Sequence, residues 1–165
     1  MMRPGHLYFS LFIWYALSGG RFTAPFLKNV ANFSDSMIGF TFSMQIFLGS
    51  LMGSFGAVAA DSLEKKFPNK GRVAALGACI ILGSLAFEIH LIATYLTNET
   101  SSLFVHFVAR MLFSVCAAIT MPILDGIALV YLKRTGDNSS DYGKERLFGK
   151  KSEHNIQLYC HNFPL

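Results

Sequence analysis

The chain has 165 residues, 52% of them hydrophobic and only 15% charged, with 14 Lys and Arg against 10 Asp and Glu. A soluble domain carries about a quarter charged residues, mixed along its length. Here the charges are sorted into short connectors between apolar runs, which excludes an ordinary water-soluble fold. That sorting also argues against a nucleic-acid surface, so no nucleic-acid partner is expected despite the basic excess.

Four apolar stretches follow in chain order, 7–27, 37–60, 73–96 and 103–132. About 20 apolar residues carry a helix across the hydrocarbon core. The sequence therefore predicts an all-α, polytopic membrane protein with about four transmembrane helices and the lipid bilayer as its main partner. The first stretch has a second reading. Arg3, an apolar run to Leu17 and then Ser18, Gly19 and Gly20 also fit a secretory signal peptide, whose removal would leave three spans without inverting them. Arg21 lies in the outer third of this stretch, ahead of Pro25, which loosens a helix end. It either meets a polar solute group or reaches back to the outer headgroups.

The second stretch contains no Asp, Glu, Lys or Arg, and Gln45 is its one strongly polar side chain. Gly49, Gly53 and Ala57 fall on one helical face and let a neighbouring backbone come close. That face serves either a sliding helix contact or plain tight packing. Ionisable residues in the third and fourth stretches are expensive in lipid and so mark candidate function. Glu88 and Arg110 reach similar outer-half depths at about 1.5 Å per residue, and a structural ion pair between them is expected. His90 and His106 read as interfacial or hydrogen-bonded groups. Asp125 follows Pro122, which frees a backbone carbonyl and bends the helix, and a carboxylate beside such a break suits a solute hydroxyl or a proton.

The connectors set the orientation. Arg3 precedes the first stretch, Lys65, Lys66, Lys70 and Arg72 lie between the second and third, and Lys133, Arg134, Lys144, Arg146, Lys150 and Lys151 follow the fourth. Only Lys28 falls in the alternate loops. The positive-inside rule then puts both termini in the cytoplasm, in a plasma membrane or an endomembrane. Asn32 and Asn98 are glycosylation sequons in the two loops expected outside; Asn138 matches the pattern on the inner side. Cys79 and Cys116 sit in apolar runs as small hydrophobes. Cys160 lies near His154 and His161 without a recognised ligand spacing, so no metal is expected. No catalytic arrangement or phosphate-cradling loop is present, and the chain reads as a non-enzyme without a cofactor.

Two motifs carry a family resemblance. Gly56-x-x-x-x-Asp61, followed after residues 62–69 by Lys70-Gly71-Arg72, resembles the loop between helices two and three of the major facilitator superfamily. In this chain the glycine stands one residue further from Asp61, and the gap before Gly71 is wider. Met121-Pro122-Ile123-Leu124-Asp125-Gly126, continuing to Asp141-Tyr142-Gly143-Lys144-Glu145-Arg146-Leu147-Phe148-Gly149, is similar to the end of helix four and the start of helix five in sugar and nucleoside proton symporters of the lactose-permease type. The resemblance implies that Asp125 and Arg146 pair and contact a small polar solute, with Arg21 as a further solute or proton-coupling candidate, in a fold whose two halves rock about the site.

The resemblance ends at Gly149, where that superfamily enters a fifth apolar helix. Residues 150–165 are instead polar from Lys150-Lys151-Ser152 onward. The expectation is a partial N-terminal bundle over 1–149 with a divergent cytoplasmic tail over 150–165. Such a form would be inactive alone, unless a complementary transporter half or a second copy joins it at the Gly49 and Gly53 face. The alternative is a small four-helix membrane adaptor in which the same charges and glycines serve only packing and partner binding.

Overall fold

A computed structural model describes residues 4–17, 22–135 and 142–143. Its elements are all helices: α1 (Pro4–Leu17), α2 (Thr23–Asn29), α3 (Asp35–Lys66), α4 (Gly71–Thr94) and α5 (Glu99–Thr135). The chain divides into two compact units, one of Met1–Leu17 with Leu124–Leu165, the other of Ser18–Ile123. The first holds α1 and the last third of α5. The second holds α2, α3, α4 and the remainder of α5.

Among the described residues three helices are long and apolar enough to cross a membrane: α3, α4 and α5. α3 and α5 cover the expected spans at 37–60 and 103–132 and run past them by up to six residues, and α4 covers 73–94 of the expected 73–96. The first expected span, 7–27, includes residues 18–21, which lie outside the described residues. The described part of 7–27 holds α1 as far as Leu17 and α2 from Thr23. Pro25 stands in the first turn of α2, where its missing N–H has no intrahelical role to lose.

Helix ends follow local chemistry. Ser34 caps α3, its Oγ accepting the Met37 N–H at 3.3 Å, with Asp35 in the first turn and Lys65 and Lys66 in the last, as the helix dipole favours. Asn98 Oδ1 accepts the Ser101 N–H at 3.3 Å at the start of α5. Ser102 Oγ donates to the Ala93 carbonyl at 2.9 Å, tying the end of α4 to the first turn of α5. A small apolar cluster of Leu27, Ala31 and Phe33, backed by Phe26, Ile38, Leu103 and Phe107, joins α2, α3 and α5 at this end.

Across the second unit the residue distribution is inverted relative to a soluble protein. Large apolar side chains point outward, among them Phe47, Val58, Ile81, Leu85, Ile92 and Phe104. Thr41, Gln45, Gly53, Gly83, His90, His106 and Arg110 are buried. Lipid imposes that pattern, because hydrocarbon side chains gain nothing by leaving it, whereas polar groups must find partners inside.

The glycine face of α3 packs on α5 of the same chain. A Cβ on Gly49 would stand 3.4 Å from the Ala118 Cβ, and one on Gly53 would stand 3.5 Å from the Ala118 carbonyl oxygen. Pro122 has no N–H, so that carbonyl, four residues earlier, lacks its helical partner. The absence of a side chain at Gly53 opens the approach to it. Gly56 is tighter still. A Cβ there would fall 2.4 Å from Ile119 Cγ2 and 2.9 Å from its Cβ. Gly56→Ala is expected to destabilise the protein by about 1–3 kcal/mol through overpacking. Gly39→Ala, where nothing lies within 4 Å, should be neutral or mildly stabilising. Thermal unfolding of the two variants in detergent checks the contrast.

Candidate functional site

Three polar constellations stand out from the apolar background. The first is the turn between α3 and α4. Arg72 donates from Nε to Asp61 Oδ1 at 2.9 Å, and its Nη2 lies 2.8 Å from the same oxygen. Glu64, one turn beyond Asp61, accepts the Asn69 N–H at 2.7 Å and the Arg72 N–H at 2.9 Å with its two oxygens. Asn69 takes a left-handed φ of 67°, a conformation asparagine tolerates, and this reverses the chain. Gly71 is buried against α3, where a Cβ would meet the Glu64 backbone nitrogen at 2.4 Å.

Gly56, Asp61, Gly71 and Arg72, separate in sequence, thus have connected jobs. Gly56 seats α3 on α5, Gly71 seats the start of α4 on the end of α3, and Asp61 with Arg72 clamps the turn. Glu64 was not singled out by the sequence. Its signal was its position, because a carboxylate in the last turn of a helix opposes the dipole unless it accepts backbone donors beyond the end.

The second constellation lies inside the second unit. His90 of α4 and His106 of α5 meet with their Nδ1 atoms 2.9 Å apart and their rings nearly parallel at 23°. Phe26 of α2 presents to both rings in edge contact, at 5.2 and 5.8 Å between centroids. Arg110, one turn further along α5, is buried, with its guanidinium 5.0 Å from the Phe113 ring centroid. Glu88 is exposed, and the expected Glu88–Arg110 ion pair is not among those of the described residues. Depth along the two helices was matched, but direction was not. At about 100° per residue, Glu88 points some 200° away from His90, so a buried His90 turns Glu88 outward. Lys28 pairs instead with Asp35 at 2.8 Å, both well exposed.

The third constellation belongs to the first unit. Tyr8 of α1, 4% exposed, donates from its hydroxyl to Asp125 Oδ1 of α5 at 2.5 Å. The side chain of Tyr142 hydrogen-bonds Tyr8 in turn. A phenol is an apt donor here, since it satisfies a carboxylate oxygen while its ring packs among apolar side chains. Nothing in the sequence marked Tyr8, one aromatic within an apolar run. Tyr142 belonged to the motif that singled out Asp125, though no role was expected of it. Arg21 and Arg146 lie outside the described residues, as do Cys160, His154 and His161. Asn32 and Asn98 are exposed in the α2–α3 and α4–α5 connections.

Three long apolar helices that bury small and polar residues and expose large hydrophobic ones define an integral, polytopic α-helical membrane protein. Residues 6–150 match the model of the MFS_1 like family, and the chain belongs to that family, within the major facilitator superfamily of membrane transporters. No curated protein and no solved structure matches it.

Gly71→Ala would force the α3–α4 turn apart, because the obstructing atoms are backbone rather than a movable side chain. It is expected to lower the unfolding temperature and to speed protease cleavage between Phe67 and Arg72. Ser62→Ala, which loses one exposed hydroxyl bonded to the Val58 carbonyl of its own helix, should leave both unchanged.

Proposed function

We propose that this membrane transporter moves a small polar solute, of sugar-like or nucleoside-like chemistry, with Asp125 as the solute-binding carboxylate and proton-coupled symport as the mode. The observation that carries this reading is the Tyr8–Asp125 hydrogen bond between two apolar helices of a transport-family chain. A carboxylate within an apolar helix is costly unless it is hydrogen-bonded. One oxygen of Asp125 is satisfied by Tyr8, and the carboxylate has further acceptor sites for a solute hydroxyl. Arg146 and Arg21 are proposed as the cationic partners of the same solute, a guanidinium offering a planar fork of donors.

The sorted basic residues support cytoplasmic termini with the Asp61–Arg72 turn on the inner side. On that reading the Asn32 and Asn98 loops face outward and are the proposed glycosylation sites. The Gly49 and Gly53 face is occupied by α5 of the same chain, so assembly with another transporter half or a second copy would use a different surface.

Uptake of a panel of labelled sugars and nucleosides into vesicles carrying the protein together with a complementary transporter half tests the proposal. At least one solute is expected to accumulate, and Asp125→Asn should abolish that accumulation. Tyr8→Phe removes one hydrogen bond to a charged group, about 1.5–3 kcal/mol, and should raise the half-saturating concentration about tenfold or more. Uptake unchanged in Asp125→Ala, with insertion shown to be intact, would contradict the assignment.

A further inference from the structure

Like nitrogens of two buried histidines that touch each other restrict where their protons are. The Nδ1 atoms of His90 and His106 are 2.9 Å apart, and the residues are 4% and 1% exposed. Two lone pairs or two N–H groups would repel at that separation, so a single proton lies on the line between them. One ring therefore donates from Nδ1 and, when neutral, has a bare Nε2. Its partner accepts at Nδ1 and carries its own proton on Nε2.

We propose that the His90–His106 pair is a proton-binding site inside the helix bundle, separate from the solute site at Asp125. A proton from water adds to the bare Nε2 of the donor ring. That ring becomes an imidazolium, its Nδ1–H remains bonded to the neutral partner, and the charge of the pair rises by one. No other bond changes. The contact persists at charge zero and at charge plus one. A second added proton would set two N–H groups face to face and separate the rings, so the intact pair takes one proton and no more. Transfer of the shared proton across the 2.9 Å line then moves the positive charge from one helix to the other while both helices stay in place. Release from the far Nε2 completes passage of one proton.

Among the described residues the neighbours of the pair are aromatic rings and one cation. From α2 the edge of Phe26 meets both rings, and Lys28 on that helix is exposed and bonded to Asp35. Residues 37–60 of α3 contain no ionisable carboxylate or cation. On α4, Phe87 lies against His90 and Glu88 is exposed. On α5, the charged group near the pair is Arg110, buried one turn beyond His106.

Nitrogen NMR of the wild-type protein, labelled with ¹⁵N-histidine and held in lipid nanodiscs, tests this without reference to any transported solute. At neutral pH one Nδ1-bound proton is expected, coupled across the hydrogen bond to the Nδ1 of a second histidine. Acidification to the limit of the folded state should convert one of the two rings to imidazolium, with uptake of one proton per pair. His106→Phe keeps a flat ring beside Phe26 and is expected to lose both the coupled signal and that proton. If this variant does not fold, the wild-type spectrum still decides. Two Nε2–H rings without an Nδ1-bound proton, or nitrogen shifts of both rings unchanged across the acid range, would overturn the proposal.

Discussion

In hydrocarbon no water is available to complete a hydrogen bond, so every backbone N–H and C=O must be satisfied within the protein. The helical architecture of this chain follows from that constraint, and so does the concentration of basic residues in the connectors. Pro122 is the place where a long helix fails to meet it alone. The Ala118 carbonyl loses its helical donor there, and it faces Gly53 of α3, where an added Cβ would stand 3.5 Å from the oxygen.

The same constraint explains the company kept by the buried polar side chains. His90 has His106, Asp125 has Tyr8, and Thr41 turns its hydroxyl back to the Met37 carbonyl at 2.7 Å. Among the described residues the ion pairs Asp61–Arg72 and Lys28–Asp35 lie near the ends of the helices. Exposed pairs of this kind contribute little stability, about 0–1 kcal/mol. The α3–α4 turn gains its definition from the combination of that pair with the Glu64 carboxylate, the left-handed Asn69 and the tight seat of Gly71.

Much of this architecture was legible in the sequence, because run length and charge placement are one-dimensional signals. The long helices α3, α4 and α5 could be read from uninterrupted apolar stretches, and the motif around Gly56, Asp61, Gly71 and Arg72 from residue types at characteristic spacing. What failed depended on direction around a helix or on a partner far away in the chain. Glu88 and Arg110 share a depth but not a facing direction. The Tyr8–Asp125 bond joins residues 117 apart, and no local pattern announces it. Gly56 was marked as a loop-motif residue, whereas the structure shows that it also completes the packing face begun by Gly49 and Gly53.

The central claim is that α4 crosses the bilayer between two aqueous connectors, which fixes the alternation of everything attached to it. Single cysteines at Lys70→Cys and Thr97→Cys, in a background with Cys79, Cys116 and Cys160 replaced, measure this directly. In sealed, uniformly oriented vesicles a membrane-impermeant thiol reagent should modify one of the two positions and reach the other only after permeabilisation. Equal modification of both before permeabilisation would contradict the account.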